Sequence, residues 1–351
     1  MMNQKAFLQE IPDSLLYEPK KVKITGHPIL GFTPETNWAF GAAAIVYFRT
    51  ESYPLSNPSM VNPFLFYTLN KQFMVVTKGD IYRKKSITVF RLKAGRMPDY
   101  FFGIGSFTDK NSERYLRKTF GSELKYIYKA TPDIFTGIQI EAHRNLLSNF
   151  AENSKLLEEN IAGIEDGTIF GIGPSIRIEK RDNIIYPHKG WYLATDLLYY
   201  PGGLPGKYQF NSFLFDFRYF ISSVNYKNTL GMQFINEFKQ GSSIPFYELS
   251  ALGGETRARG INANRYIDKN ALFTQIEYRR KLPLNFGVVA FAGAGQVYPE
   301  LSAFQLSNLK YNVGFGIRML ALPEEQANFR LDIGFGPKGE RHWYVGIQEV
   351  F

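Results

Sequence analysis

Three features of this 351-residue chain predict an all-β fold: a transmembrane antiparallel β-barrel of sixteen strands. The apolar pattern has a period of two over most of the chain, the spacing of residues on one face of a strand. Most alternating segments run ten residues or longer, against about five or six in ordinary sheets and roughly 9–11 needed to cross a bilayer. Aromatics make up 16% of the residues, yet no apolar run approaches the roughly 18–20 residues of a membrane-spanning helix. The slightly negative mean hydropathy excludes a helical membrane protein but suits barrel strands, which are apolar on one face only.

Composition narrows the function classes. With no cysteine there is no disulfide framework, thiolate chemistry or cysteine metal site. The 41 Lys and Arg against 32 Asp and Glu leave a charge of +9, which fits a solvated surface and the phosphate headgroups of outer-membrane lipids. Basic runs such as Arg83-Lys84-Lys85 and Arg279-Arg280-Lys281 are hairpin-sized, too short for a nucleic-acid arm, so nucleic acid is not an expected partner. The start has no charged region followed by an apolar core and does not read as a signal peptide; an exported protein with this start is a trimmed form or part of something longer.

Taken in order, residues 1–24 carry Pro12 and Pro19 and read as a periplasmic lead-in, and residues 25–351 as one barrel domain without a composition break. Strands are expected near 25–35, 37–50, 58–69, 71–82, 85–105, 119–130, 133–146, 167–181, 189–201, 207–221, 227–240, 270–281, 285–298, 308–320, 327–336 and 342–351. In the clearest of them, Phe213, Phe215, Phe217 and Tyr219 share one face while Ser212, Asp216 and Arg218 share the other. Likewise Leu272, Ile276 and Tyr278 oppose Gln275, Glu277 and Arg279, and Phe329, Leu331, Ile333 and Phe335 oppose Arg330, Asp332 and Gly334. Long connections near 106–118, 147–166, 241–269 and 299–307 alternate with tight ones such as 131–133 and 281–284, as in a barrel threaded from the periplasm. The final segment ends on Phe351, which at the end of an alternating strand fits an interfacial aromatic girdle.

Enzymatic signatures do not assemble. His27, His143, His188 and His342 contain no helical metal-ligand pair. The stretch from Gly334 to Gly339 matches GxGxxG by letter, but it lies between two strands and holds a proline, so it reads as a hairpin turn. Neither a P-loop nor a nucleophile-elbow motif occurs, and no catalysis or cofactor is expected.

The ordered motifs of the C-terminal half resemble the barrel of the Omp85 family, also called the bacterial surface antigen D15 family. Arg181-Asp182-Asn183 with Tyr186-Pro187 and Gly190 resembles its RDN…P..G turn. Leu252-Gly253-Gly254 through Arg259-Gly260-Ile261 resembles its GG…RG[FY] loop. Thr274 to Arg279 resembles the following ExR strand, Phe291 to Gly295 occupies the FxDxG position, and Arg330-Leu331-Asp332 and Phe351 resemble the last strands, Phe351 as the terminal barrel signal. Five strands after the RG loop is the family count for sixteen strands.

The resemblance implies that loop 241–269 folds into the lumen, and physics suggests how. Arginine stays charged and offers a rigid fork of donors, so in a confined lumen it seeks a carboxylate. Glycines at 253, 254 and 260 permit tight turns, and alternation puts Glu277 on the polar face, so an Arg259–Glu277 pair is expected. A solvated loop arginine is the alternative. Two positions depart from the family: Gly293 stands where it has an aspartate partner for the arginine, and Ile261 where it has an aromatic. The hold on the wall is therefore expected to rest mainly on Glu277. No POTRA-like modules fit in the residues before the first strand.

Pro28, which lacks an N–H, and Gly31 weaken the first strand, so its pairing with the last should be poor. In the family that seam is the lateral gate for client strands. The resemblance thus implies insertion or translocation of polypeptides, with client polypeptides and accessory lipoproteins as partners. A secretion pore or anchor for a partner surface protein, a passive porin and a soluble β-sandwich are the alternatives.

Overall fold

The computed structural model describes residues 22–33, 37–50, 57–108, 111–203, 206–323 and 325–351. The lead-in up to residue 21 lies outside the described residues. In chain order the strands are β1 (Lys23–Thr33), β2 (Asn37–Phe48), β3 (Ser59–Thr68), β4 (Phe73–Tyr82), β5 (Ser86–Phe101), β6 (Glu113–Lys129), β7 (Ile134–Ser148), β8 (Gly167–Glu179) and β9 (Gly190–Pro201). They continue as β10 (Gln209–Ser222), β11 (Asn228–Gln240), β12 (Ser250–Leu252), β13 (Tyr266–Asp268), β14 (Asn270–Lys281), β15 (Phe286–Tyr298), β16 (Lys310–Leu322), β17 (Ala327–Phe335) and β18 (Arg341–Ile347). All but β12 and β13 form one sixteen-stranded antiparallel sheet in sequence order; those two pair only with each other, inside the connection from β11 to β14.

Every neighbouring pair is a hairpin, so the topology needs no crossover and each ladder satisfies the backbone within the sheet, as a lipid environment demands. The sheet curls until His27 of β1 faces Phe329 of β17 edge-to-face, with ring centroids 6.5 Å apart. Among the described residues β1 and β18 share no ladder, so the sheet is not closed by hydrogen bonds.

Alternation sets the two faces. Along β16, Tyr311, Val313, Phe315, Ile317 and Met319 are 47–62% exposed, while Asn312 and Arg318 between them are buried. A continuous apolar stripe on the outside of a curled sheet is a lipid-facing surface. Among the described residues no helix is long and apolar enough to cross a membrane.

Both ends of the lumen are filled. At the long-loop end, Phe246 of the 241–269 connection packs edge-on against Phe101 (5.2 Å) and Tyr115 (5.7 Å), beside Leu156 of the single-turn helix α1 (Lys155–Glu158). At the opposite end the β8–β9 turn folds inward. Asn183 Oδ1 accepts from the N–H groups of Ile185 (2.7 Å) and Tyr186 (3.0 Å), and Asp182 Oδ1 from those of His188 (2.9 Å) and Lys189 (3.1 Å). Gly190 closes the turn at φ +100°, where a Cβ would lie 2.0 Å from the Lys180 carbonyl oxygen. This geometry explains the Arg-Asp-Asn…Pro…Gly pattern and delivers Ile184 and Ile185 to apolar seats formed by Ile45 and Tyr47 of β2, Ala327 of β17, and Tyr82, Ile87 and Ile127.

One expectation is corrected here. The last strand does not run to Phe351: it stops at Ile347, and Gln348, at φ +75°, turns residues 348–351 into the lumen. Phe351 is 4% exposed and packs beside Phe220 (6.0 Å), so it does not belong to an outer aromatic girdle. Turning inward also takes Glu349 off the lipid face and gives its carboxylate partners.

Candidate functional site: a buried ring of charges under the RG loop

Loop 241–269 reaches deep into the lumen because its own hairpin gives it a core. Leu252 of β12 and Tyr266 of β13 pack with Ala258, Ile261, Phe273 and Val297. Gly253 and Gly254 both take positive φ in the turn. The tip is held against β17 at closest range: Gly260 sits at φ +106°, a Cβ there would lie 2.4 Å from the Phe335 nitrogen, and its N–H donates to the Tyr344 hydroxyl (2.9 Å). Asn312 Nδ2 donates to the Arg259 carbonyl oxygen (2.9 Å).

These contacts leave one orientation for Arg259, whose side chain is fully buried. Its Nη2 donates to Glu277 Oε2 (2.5 Å), its Nη1 to Asp332 Oδ2 (2.7 Å), and the guanidinium stacks on the Phe291 ring at 3.5 Å. From there the charges alternate around a closed ring. Glu277 holds Arg279 (2.8 Å), Arg279 faces Glu349 (3.9 Å), Glu349 holds Arg318 (2.8 Å), and Arg318 returns to Asp332 (2.5 Å). Every side chain in the ring is 3% exposed or less. Arg330 adds a fourth cation to Asp332 (3.1 Å) and also pairs with Glu255 in the RG loop. Three arginines against three carboxylates make the ring neutral, which is how so many charges tolerate removal from water.

The ring joins four parts of the chain: the RG loop, β14, the β16–β17 hairpin and the segment after β18. Arg279 also donates to the Phe351 carbonyl oxygen (2.8 Å). Gln348 reaches the Tyr47 hydroxyl of β2 (2.9 Å), so the same segment bridges the inside of the unpaired seam.

The structure places the residues singled out by sequence as follows. Arg259 and Glu277 are in contact, and Gly253, Gly254 and Gly260 shape the loop that brings them together. Asp332 was not foreseen as a partner, and its presence corrects the expectation that Glu277 carries most of the hold. Gly293 faces space already filled, since a Cβ there would lie 2.6 Å from Asn312 Oδ1 and 2.9 Å from Phe273. Ile261 is buried in the loop core while Phe291 supplies the aromatic face under Arg259. Pro28 and Gly31 lie within β1, which pairs with β2 along its whole length. Beside them the seam is bridged by Lys23–Glu325 (3.5 Å) and the His27–Phe329 contact rather than by a ladder.

A sixteen-stranded antiparallel sheet with a lipid-facing exterior, a charged lumen and an infolded arginine-glycine loop defines the class of outer-membrane β-barrels that carry a loop anchored inside. Within that class the chain belongs to the Omp85 superfamily, whose domain model matches residues 62–351. Among solved structures it is similar to BamA from Haemophilus ducreyi lacking POTRA domains 1–3, with a TM-score of 0.59 and 9% identity over 94% of this chain and 70% of that one. It is also similar to CdiB from Escherichia coli (TM-score 0.58, 10% identity, 94% of this chain) and from Acinetobacter baumannii (0.56, 11%, 93%). The chain spans 63% and 58% of those two proteins. No curated protein matches it in sequence. At these identities the structural likeness establishes the fold, and the family model the membership.

Proposed function

We propose that this protein sits in the bacterial outer membrane and assists insertion or translocation of polypeptides there, with the β1/β18 seam as the place where a client strand pairs. The single observation behind this reading is the seam itself. Fifteen ladders run continuously around the sheet, and the sixteenth, between β1 and β18, is missing among the described residues. Two strand edges facing each other without hydrogen bonds are a template for an added strand. β18 has only seven residues against eleven in β1, so even a closed seam would leave part of β1 open. Pro28 removes one donor from β1.

Passive diffusion fits poorly with a lumen crossed by the RG loop, the charge ring and the β8–β9 turn. The proposed activity makes and breaks no covalent bond and needs no cofactor; its partners are client polypeptides, with accessory lipoproteins and lipid phosphate headgroups around it. Depleting the protein from its host tests the reading. Other barrel proteins should accumulate unfolded, while a pore or anchor role would leave their assembly untouched and affect one partner only.

A further inference from the structure

A polar cavity of about 260 Å³ lies in the lumen beside residues 348–351. Three arginines converge there on one aromatic ring: the guanidinium carbons of Arg177, Arg181 and Arg218 lie 5.7, 4.7 and 5.0 Å from the Tyr192 centroid. Two are neutralised in place, Arg181 by Glu179 (2.7 Å) and Arg218 by Asp216 (2.6 Å). Arg177 is not. It is 8% exposed, lines the cavity, and has no hydrogen-bond or ion-pair partner among the described residues. A buried guanidinium beside two others is a charge that its surroundings must compensate.

The rest of the wall carries complementary groups that are also unused. Lys78 and the phenols of Tyr82 and Tyr192 line the cavity as donors without a hydrogen-bonded partner among the described residues. Among the described residues Asp80 lines it without an ion pair, and Asn62 Oδ1 is buried without a donor. Asn62 faces Lys78 across the β3–β4 ladder, so the pleat presents both to the lumen. Glu349, at the cavity's edge, is already held by Arg318 (2.8 Å) and Asn328 (3.0 Å) and does not serve Arg177.

We propose that this cavity binds a protonated oxyanion, inorganic phosphate or the phosphate monoester of a lipid headgroup. Guanidinium, ammonium and phenol donors meet the unprotonated oxygens, while the P–OH donates to Asp80 or to Asn62 Oδ1. Sulfate, of similar size, carries no proton at neutral pH and would set an oxygen lone pair against the Asp80 carboxylate. The site therefore selects phosphate over sulfate. This inference is independent of the seam.

Calorimetric titration of the full chain in detergent, at matched ionic strength, tests it with three probes: inorganic phosphate, sulfate and dihexanoyl phosphatidic acid. Phosphate should bind and sulfate should not; binding of phosphatidic acid as well assigns the site to a headgroup, and its failure assigns it to the free ion. Arg177→Gln should weaken phosphate by at least about tenfold, as loss of a charge-assisted contact implies. Asp80→Asn, which removes no buried cation, should let sulfate compete. Equal response to phosphate and sulfate in the parent, phosphate affinity unchanged in Arg177→Gln, or a preference for phosphate over sulfate unmoved in Asp80→Asn would each overturn the proposal.

Discussion

Arg259 shows how one side chain can fix a long loop. Its guanidinium satisfies two carboxylates from different strands and lies flat on Phe291, so its removal strands both Glu277 and Asp332 in a water-poor site. Breaking one side of a buried charge pair costs about 3–5 kcal/mol, so Arg259→Ala should lower the temperature of heat-modified migration, expose the 241–269 loop to protease and raise ion conductance in planar bilayers. Parent-like conductance together with parent-like protease resistance would show that the arginine does not hold the loop. Gly260→Ala tests the backbone separately. A Cβ at φ +106° against the Phe335 nitrogen costs about 1–3 kcal/mol from strain alone, and the same heat-modification assay should detect it. Glu277 was legible because the period-two pattern puts it on the lumen face of the strand that follows the loop; Asp332 was not, because it lies 73 residues from Arg259 and the two meet only after the sheet curls.

At the scale of elements, the β8–β9 turn and the segment after β18 decide what the lumen can pass. The turn's capping pattern was readable as a motif, since Asp182, Asn183 and Gly190 have their roles within ten residues of one another. The seats of Ile184 and Ile185 on β2, β17 and β4–β6 were not, being far away in sequence. Ile185→Ser should therefore raise single-channel conductance without altering insertion into the bilayer. The inward bend at Gln348 was equally hidden, since a non-glycine residue at positive φ carries no sequence signature. His188 makes the turn sensitive to acid. Burial, then the neighbouring Lys281 ammonium, hold its imidazole below the usual value of 6.5, against the opposing pull of Asp182. The unfolded chain thus takes up a proton before the folded turn does, so this stabilisation is complete above about pH 6.5 and is lost as the pH falls through the lowered folded value. Heat-modification temperature should fall on acidification, and fall less in His188→Gln.

For the whole molecule, strand number, hairpin order and the two faces of the sheet were legible from alternation and loop rhythm, because each strand carries its own pattern. A weakly paired seam was legible in Pro28 and Gly31, but the contacts that bridge it were not, because they depend on how the first and last strands meet. The structure leaves that meeting to side chains: Lys23 with Glu325, His27 with Phe329, and Gln348 with Tyr47. The charge ring ties the segment after β18 to the RG loop. The chain contains no cysteine, so His27→Cys with Phe329→Cys introduces a single thiol pair across the seam. The most direct measurement is the folding rate of a client barrel into proteoliposomes carrying this variant, before and after a short reducible cross-link between the two thiols. The seam account predicts that cross-linking drops the rate to that of protein-free liposomes and that reduction restores it; an unchanged rate with the seam locked would contradict it.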